Sequence, residues 1–255
     1  QAEDGIRDRS PSRGLGDVYK RQIIFLLGGC TSTYTWGWYV INPKLDNGYN
    51  NIRFLISGLN VTLIISVLSI FFSLVTGLFI SLLGLGKNKF FKVFNLTYIE
   101  VFRSIPLLVL LLWVYYGLPI VVGISLSPFI AGIVSLALSD SAFEAEVFRA
   151  GIQSIPKGQR DAARSIGLNK YQAMRLVIFP QALRIILPAI GNQFVYVVKM
   201  SSLVSIIGLA DLTRKANELV VSVYRPLEIY TFLVIEYLVL ILVISYLVRK
   251  LENKS

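Results

Sequence analysis

Long charge-free apolar runs, separated by short basic stretches, set the pattern of this chain. Residues 54–86 hold no charged side chain between Arg53 and Lys87, and these 33 residues exceed the ~20 that a helix needs to cross a bilayer. They predict one long or tilted span. Residues 104–139 are uncharged as well, and 36 residues are too many for one helix and too few for two. Pro119, Gly123 and Pro128 interrupt the run, which reads as the end of a second span, a turn and most of a third. Spans two to five are expected over residues 95–117, 128–148, 185–207 and 229–248.

Composition agrees with the pattern. Of the 255 residues 55% are hydrophobic and 16% charged, with a mean hydropathy of +0.65; soluble domains average about 25% charged. The fold class expected is all-α integral membrane. A net charge of +10 would raise the question of nucleic acid in a soluble protein. Here the cations lie between apolar runs, as expected of loops that face anionic lipid, and no nucleic acid partner is implied. Lys87, Lys89 and Lys92 follow span one, Arg149, Lys157, Arg160, Arg164, Lys170 and Arg175 follow span three, and Arg249, Lys250 and Lys254 follow span five. Those loops are expected in the cytoplasm, together with the C-terminus. The absence of His removes His-ligated metals and His triads, and the single Cys30 excludes an internal disulfide.

Residues 1–22 are polar, carry nine charges and resemble an adapter-derived translation, so the fold is expected to begin after them. Residues 23–52 form an uncertain N-terminal or periplasmic segment in which a truncated anchor is one reading. Residues 26–30 loosely resemble a lipoprotein cleavage box at Cys30. The transmembrane domain is expected over 53–250, with a tail over 251–255.

The longest basic connection, residues 149–183, predicts two short helices around a glycine bend. Ser154 is read as an N-cap with Pro156 in the first turn, Lys157 to Ile166 as the first helix, and Gly167 as its left-handed terminus. Asn169 and Gln172 have capping-box spacing, and Pro180 follows. Asp161, Ala162 and Ala163 present short side chains that would let another protein approach closely; a hairpin without a partner fits the same composition.

At these residues the chain resembles the permeases of bacterial ABC importers. Asp161-Ala162-Ala163, Gly167, Val177 and Phe179-Pro180 match the spacing of the EAA signature, with Asp for the usual Glu and Phe for the usual Leu. The flanks, Ala145-Glu146-Val147-Phe148-Arg149-Ala150-Gly151, Pro180-Gln181-Ala182, Leu187-Pro188 and Ser202-Leu203 among them, resemble the polar amino acid permeases. Upstream, Gly58-Leu59, Glu100 with Phe102-Arg103, and Pro106-Leu107-Leu108-Val109 extend the likeness over about residues 53–250; Met200 departs from an Asp that often follows the span-four lysine.

The resemblance implies a five-helix type I importer core in a bacterial cytoplasmic membrane, with Asp161, Ala162, Ala163 and Gly167 seated on a cytoplasmic ATPase. It implies an ABC ATPase dimer, a second permease subunit that is the same chain or a sister, and an extracytoplasmic substrate-binding protein. No cofactor is expected on this chain, ATP and Mg being used by the ATPase. The closest approach to a P-loop, Gly86-Lys87, lacks the glycine five residues earlier and is followed by Asn88. An ABC exporter would lack the EAA segment. A secondary transporter or a non-transporting membrane scaffold stands as the alternative, and the internal symmetry of the former is not seen.

Charges inside spans are candidates for the substrate path. Glu100 and Arg103 lie one turn apart and could pair. Asp140 and Glu144 share a face, and a polar amino acid needs partners of both signs. Lys199 and Glu236 are further candidates. Small residues such as Ser73, Gly77, Ser81 and Gly191 suit close helix packing, and Pro106 and Pro188 are expected to kink their helices.

Overall fold

The computed structural model describes residues 34–86 and 88–252; residues 1–33, and with them the adapter-like stretch and Cys30, lie outside the described residues, as does Lys87. From Trp38 on, the described residues form one unit. It opens with a 3-10 turn, Trp38–Ile41, followed by α1 (Asp46–Ile56), α2 (Leu59–Leu85), α3 (Lys89–Ser104), α4 (Leu107–Leu112), α5 (Leu118–Val121) and α6 (Pro128–Ser154). Then come α7 (Lys157–Ser165), α8 (Lys170–Ala173), α9 (Phe179–Met200), a 3-10 segment Ser201–Ile207, α10 (Leu212–Val223) and α11 (Pro226–Glu252). No strand occurs among the described residues.

Four stretches are long and apolar enough to cross a membrane: Asp46–Leu85, Pro128–Ser154, Lys170–Ile207 and Pro226–Lys250. The second expected span is broken, because α3 and the α4–α5 pair are bent by 98°. Pro106 is the cause. Its ring pushes Ile105 out of the helical region, to ψ 122°, and removes an N–H from the ladder.

Three other prolines do not stop their helices, and one of them, Pro188, lies inside α9, which runs on past it. Pro119 and Pro180 each stand at the start of an α-helix that is entered through a π-turn, Trp113–Gly117 and Met174–Ile178. A proline strips one i→i−4 bond and crowds the carbonyl four residues back, and one wide turn takes up the extra residue. α8, the second π-turn and α9 therefore form one continuous stretch instead of a short helix ended at Pro180.

The centre of the bundle is the α2–α6 pair. Its seam is built from small side chains: Ser66, Ser69, Ser73 and Ser81 on α2 are fully buried, as are Ser135 and Ser141 on α6. Ser66 donates to the Thr62 carbonyl and Ser135 to the Ala131 carbonyl, so these hydroxyls are satisfied without a partner helix. Gly77 has a specific reason to be glycine, since a Cβ there would lie 2.7 Å from Glu144 Cβ and 3.0 Å from the Ala145 nitrogen. Close backbone approach gives dispersion contact where no hydrophobic drive separates helix from lipid. Phe148 and Ile152 of α6 pack with Ala182 and Ile186 of α9, and Leu110, Leu111 and Val114 hold the α4 segment against Ala131 and Ile207.

Candidate functional site

The connection between α6 and α9 folds as a helical hairpin, with local corrections to the sequence reading. Ser154 ends α6 and donates to the Gly151 carbonyl; Pro156 stands at the cap position of α7 and makes no side-chain bond there. The serine follows a helix that continues up to it, so its hydroxyl returns to that helix. Gly167 has φ +84°. Around it the Gly167 N–H reaches the Arg164 carbonyl at 2.9 Å and the Leu168 N–H the Ala163 carbonyl at 3.1 Å, the two bonds of a Schellman terminus. The Asn169–Gln172 capping box is closed in both directions, each bond 2.9 Å long.

The hairpin is tied back to the spans. Arg160 Nη2 donates to the Ile152 carbonyl at 3.1 Å, and Gln181 Nε2 meets Gln159 Oε1 at 3.3 Å. Of the four residues expected to meet a partner, Asp161, Ala162 and Gly167 are exposed, and Ala163 is turned inward with 2% of its surface accessible. Asp161 is held only loosely by Arg164, 3.9 Å away, with both side chains mostly in solvent. The same surface carries Ile166 at 75% exposure and Tyr171 at 71%, neither singled out from the sequence. The signal was present as bulky apolar residues flanking a glycine bend in an otherwise polar loop.

The intramembrane charges separate into two groups. Arg103 does not pair with Glu100 one turn away. It crosses to α6, where Nη1 meets Glu146 Oε2, and it stacks on the Phe143 ring at 4.9 Å from the centroid. Arg149 Nη2 approaches the other Glu146 oxygen at 3.9 Å, so one carboxylate bridges two guanidinium groups. Position i+3 on the same helix is reachable, but the guanidinium finds a carboxylate across the helix pair with a ring beneath it. Glu100, Arg103, Ser104, Glu146 and Arg149 line a cavity of about 350 Å³. Its wall holds two cations and two anions, and Glu146 and Arg149 enter through the fold alone.

Asp140 and Glu144 do share a face, and it is enclosed. Asp140 is 3% exposed and accepts hydrogen bonds from Ser73 Oγ of α2 and Gln193 Nε2 of α9, joining three spans. Glu144 is fully buried against Gly77, and neither carboxyl oxygen has a partner among the described residues. Neither acid lines the cavity of Glu100 and Arg103. Lys199 is exposed on α9, and the carboxyl oxygens of Glu236 on α11 are shielded and unpaired.

Comparison with known proteins places these features in a family. The family described as binding-protein-dependent transport system inner membrane component matches residues 73–255. The glutamine transport system permease protein GlnP of Escherichia coli (strain K12) is 37% identical over 207 residues, covering 80% of this chain and 93% of that protein. A putative glutamine transport system permease protein GlnP of Rickettsia felis is 34% identical over 206 residues, covering 81% and 94%. Among solved structures, an amino acid ABC transporter crystallised with histidines superposes with a TM-score of 0.79 at 40% identity, over 87% of this chain and 100% of that one. The inward-facing MetNI methionine ABC transporter shares the fold, with a TM-score of 0.69 at 24% identity over 80% and 96% of the two chains. These matches set aside the secondary-transporter and scaffold readings: the chain belongs to the binding-protein-dependent transport family and is the membrane permease subunit of an ABC importer.

Proposed function

We propose that this permease carries polar amino acids of the glutamine class, and that the cavity of Glu100, Arg103, Glu146 and Arg149 is a station on their path. The observation that carries the reading is the paired charge of that cavity. An amino acid brings an ammonium and a carboxylate together, and neither can leave water without a partner of opposite sign. A volume of about 350 Å³ lies at the small end of ligand sites, suited to a single amino acid. The relatives named for glutamine transport support the same substrate class. Asp140 and Glu144 take a supporting role in this reading, holding α2, α6 and α9 together.

Membership of the family supports a set of partners for this reading. Two ATPase subunits dock on the hairpin through Asp161, Ala162 and Ile166, with Gly167 fixing the bend, and they hydrolyse the ATP with Mg; this chain catalyses nothing. A second permease subunit, this chain or a sister, completes the path, and an extracytoplasmic binding protein delivers the solute. The hairpin and C-terminus lie in the cytoplasm of a bacterium, and the spans in its inner membrane. ATPase closure draws the hairpins together and favours one of two arrangements of the spans, which is alternating access.

The test is uptake of labelled amino acids by cells that express this chain with its ATPase and binding protein. ATP-dependent uptake of glutamine or a similar solute, lost on Glu146→Ala, supports the proposal. Uptake confined to uncharged apolar solutes, or unaffected by that change, refutes it.

A further inference from the structure

The expected fifth span, residues 229–248, holds a single charged side chain, Glu236. It lies ten residues along α11 from Pro226, about 15 Å at 1.5 Å per residue. An acid at that depth normally faces the bundle interior or a water-filled cavity. Glu236 instead lines an apolar cleft of about 480 Å³ between α2 and α11. Leu59 and Leu63 of α2, Leu212 of α10, and Val239, Leu240 and Val243 of α11 form its walls, and Glu236 is the one polar side chain among the lining residues. Positions 236, 239, 240 and 243 have the spacing of one helix face. Ile235, Val239 and Val243 are about half exposed, so the cleft opens where α11 meets lipid.

Both carboxyl oxygens of Glu236 are shielded from solvent and have no hydrogen-bond partner among the described residues, an arrangement that costs free energy until a partner arrives. The surrounding elements do not supply one. No Lys or Arg lines the cleft. Arg214 and Lys215, just past Leu212, are engaged elsewhere: Arg214 Nε meets Glu218 at 2.8 Å, and Lys215 lies over the Phe54 ring at 4.4 Å. Arg53 at the outer end is exposed and forms no salt bridge with Glu236. Tyr237, the next residue, places its hydroxyl 3.1 Å from Thr213. α11 rests on α9, α10 and the opening 3-10 turn, and the space between it and α2 is left unfilled. An acid with aliphatic walls and no counter-charge is complementary to a ligand that brings a cation and an apolar chain together.

We propose that the α2–α11 cleft binds a membrane-borne amphiphile with a basic amine head, its alkyl chain laid along Leu63, Val239 and Val243 and its amine on Glu236. The ammonium and the carboxylate form a charge-assisted hydrogen bond away from water, and the chain gains apolar contact with the walls. An alcohol with the same tail brings no charge, and a fatty acid brings a second anion. The site is separate from the cavity of Glu100 and Arg103, and does not depend on which solute is carried.

The assembled transporter in phosphatidylcholine nanodiscs tests it, with radiolabelled dodecylamine as the probe and dodecanol and dodecanoate as competitors. Dodecylamine should fill one saturable site per permease chain, with either competitor at least tenfold weaker. Glu236→Gln should weaken the amine about tenfold, the loss of one charge-assisted bond, and bring it level with the alcohol. Val239→Phe keeps the acid but fills the cleft, and should abolish the site on its own. Dicyclohexylcarbodiimide, an apolar reagent, gives a second readout. The acid adds across one C=N bond, its oxygen joining the central carbon and its proton passing to nitrogen, so mass spectrometry should find the adduct at position 236, suppressed by dodecylamine. Equal binding of amine and alcohol overturns the proposal, as does amine binding undiminished by either substitution. If position 236 stays unmodified in the intact complex, a neighbouring subunit covers the cleft and the proposal is wrong.

Discussion

Gly167 offers a test in which backbone strain is separable from steric clash. Its φ of +84° lies in the left-handed region, and a Cβ built there would meet no atom within 4 Å. A substitution therefore costs only what the new residue pays for that conformation. For an ordinary L-residue this is about 1–2 kcal/mol, less for Asn, and toward about 3 kcal/mol for a β-branched residue. The expected order is Asn, then Ala, then Val, with Gly167→Val the most damaging. A penalty of about 2 kcal/mol can lower the population of the docking-competent hairpin by up to about 30-fold and weaken the apparent ATPase affinity in proportion. The assay is co-purification titrated with ATPase, followed by coupled hydrolysis in proteoliposomes, beside thermal unfolding of the spans. Gly167 lies outside the buried seam, so the unfolding midpoint should move little. If Gly167→Val binds ATPase and couples as wild type does, the left-handed bend has no part in docking. A variant order that follows side-chain size, with Asn worse than Ala, would point to a clash with the partner instead.

Three other outcomes are expected. Glu146→Ala, which removes the carboxylate between Arg103 and Arg149, should cut uptake by about tenfold or more, yet cost at most about 1 kcal/mol in stability because the pair is partly in solvent; unchanged transport would detach the cavity from the path. Gly77→Val should destabilise the α2–α6 seam by about 1–3 kcal/mol, since Glu144 Cβ lies 2.7 Å from the added carbon, and a wild-type thermal midpoint in detergent would refute that packing. Asp211, the buried N-cap of α10 that accepts from the Arg214 N–H at 2.9 Å, has its carboxyl pushed up to about 6 by burial from 3.8. The fold thus favours the protonated acid; the cost of burying the charge is absent below pH 3.8, grows as pH rises, and is complete above about 6. Asp211→Asn keeps a capping acceptor and should raise the unfolding midpoint at pH 8 but not at pH 3.5; equal shifts at both pH values would rule out the charge as the cause.

The features legible in the sequence are those fixed by neighbours along the chain. Charge-free runs mark four of the five expected spans, Asn169 and Gln172 meet within one turn, and Gly167 needs a left-handed angle because the helix must end there. Those that were hidden depend on contacts across the bundle. Nothing near Arg103 announces that its partner is Glu146, 43 positions away. The inward turn of Ala163 depends on which side of α7 faces the spans. Prolines were ambiguous for a physical reason: Pro106 breaks its helix, yet Pro119 and Pro180 follow π-turns in helices that continue, and local sequence does not state which response costs less.

α9 joins the two parts of the proposed mechanism. The stretch from Lys170 to Ile207 is continuous, so the second helix of the hairpin and the span that follows are two ends of one element. At the hairpin end it is fastened by the Gln181–Gln159 bond and by packing on Gly151, where a Cβ would overlap Ile186. Midway, Gln193 ties it to Asp140, which also accepts from Ser73 on α2. The α2–α6 seam has no spare space, since its small residues already bring the backbones to contact. Movement imposed on the hairpin must therefore be taken up by the π-turn at Met174–Ile178, by the 3-10 segment beyond Lys199, or by rotation of α9 about its tie to Asp140. Packed cores are bistable rather than continuously deformable, so such a rotation favours two end states. The proposed coupling then needs no separate relay, because α9 is continuous with the hairpin that would meet the ATPase.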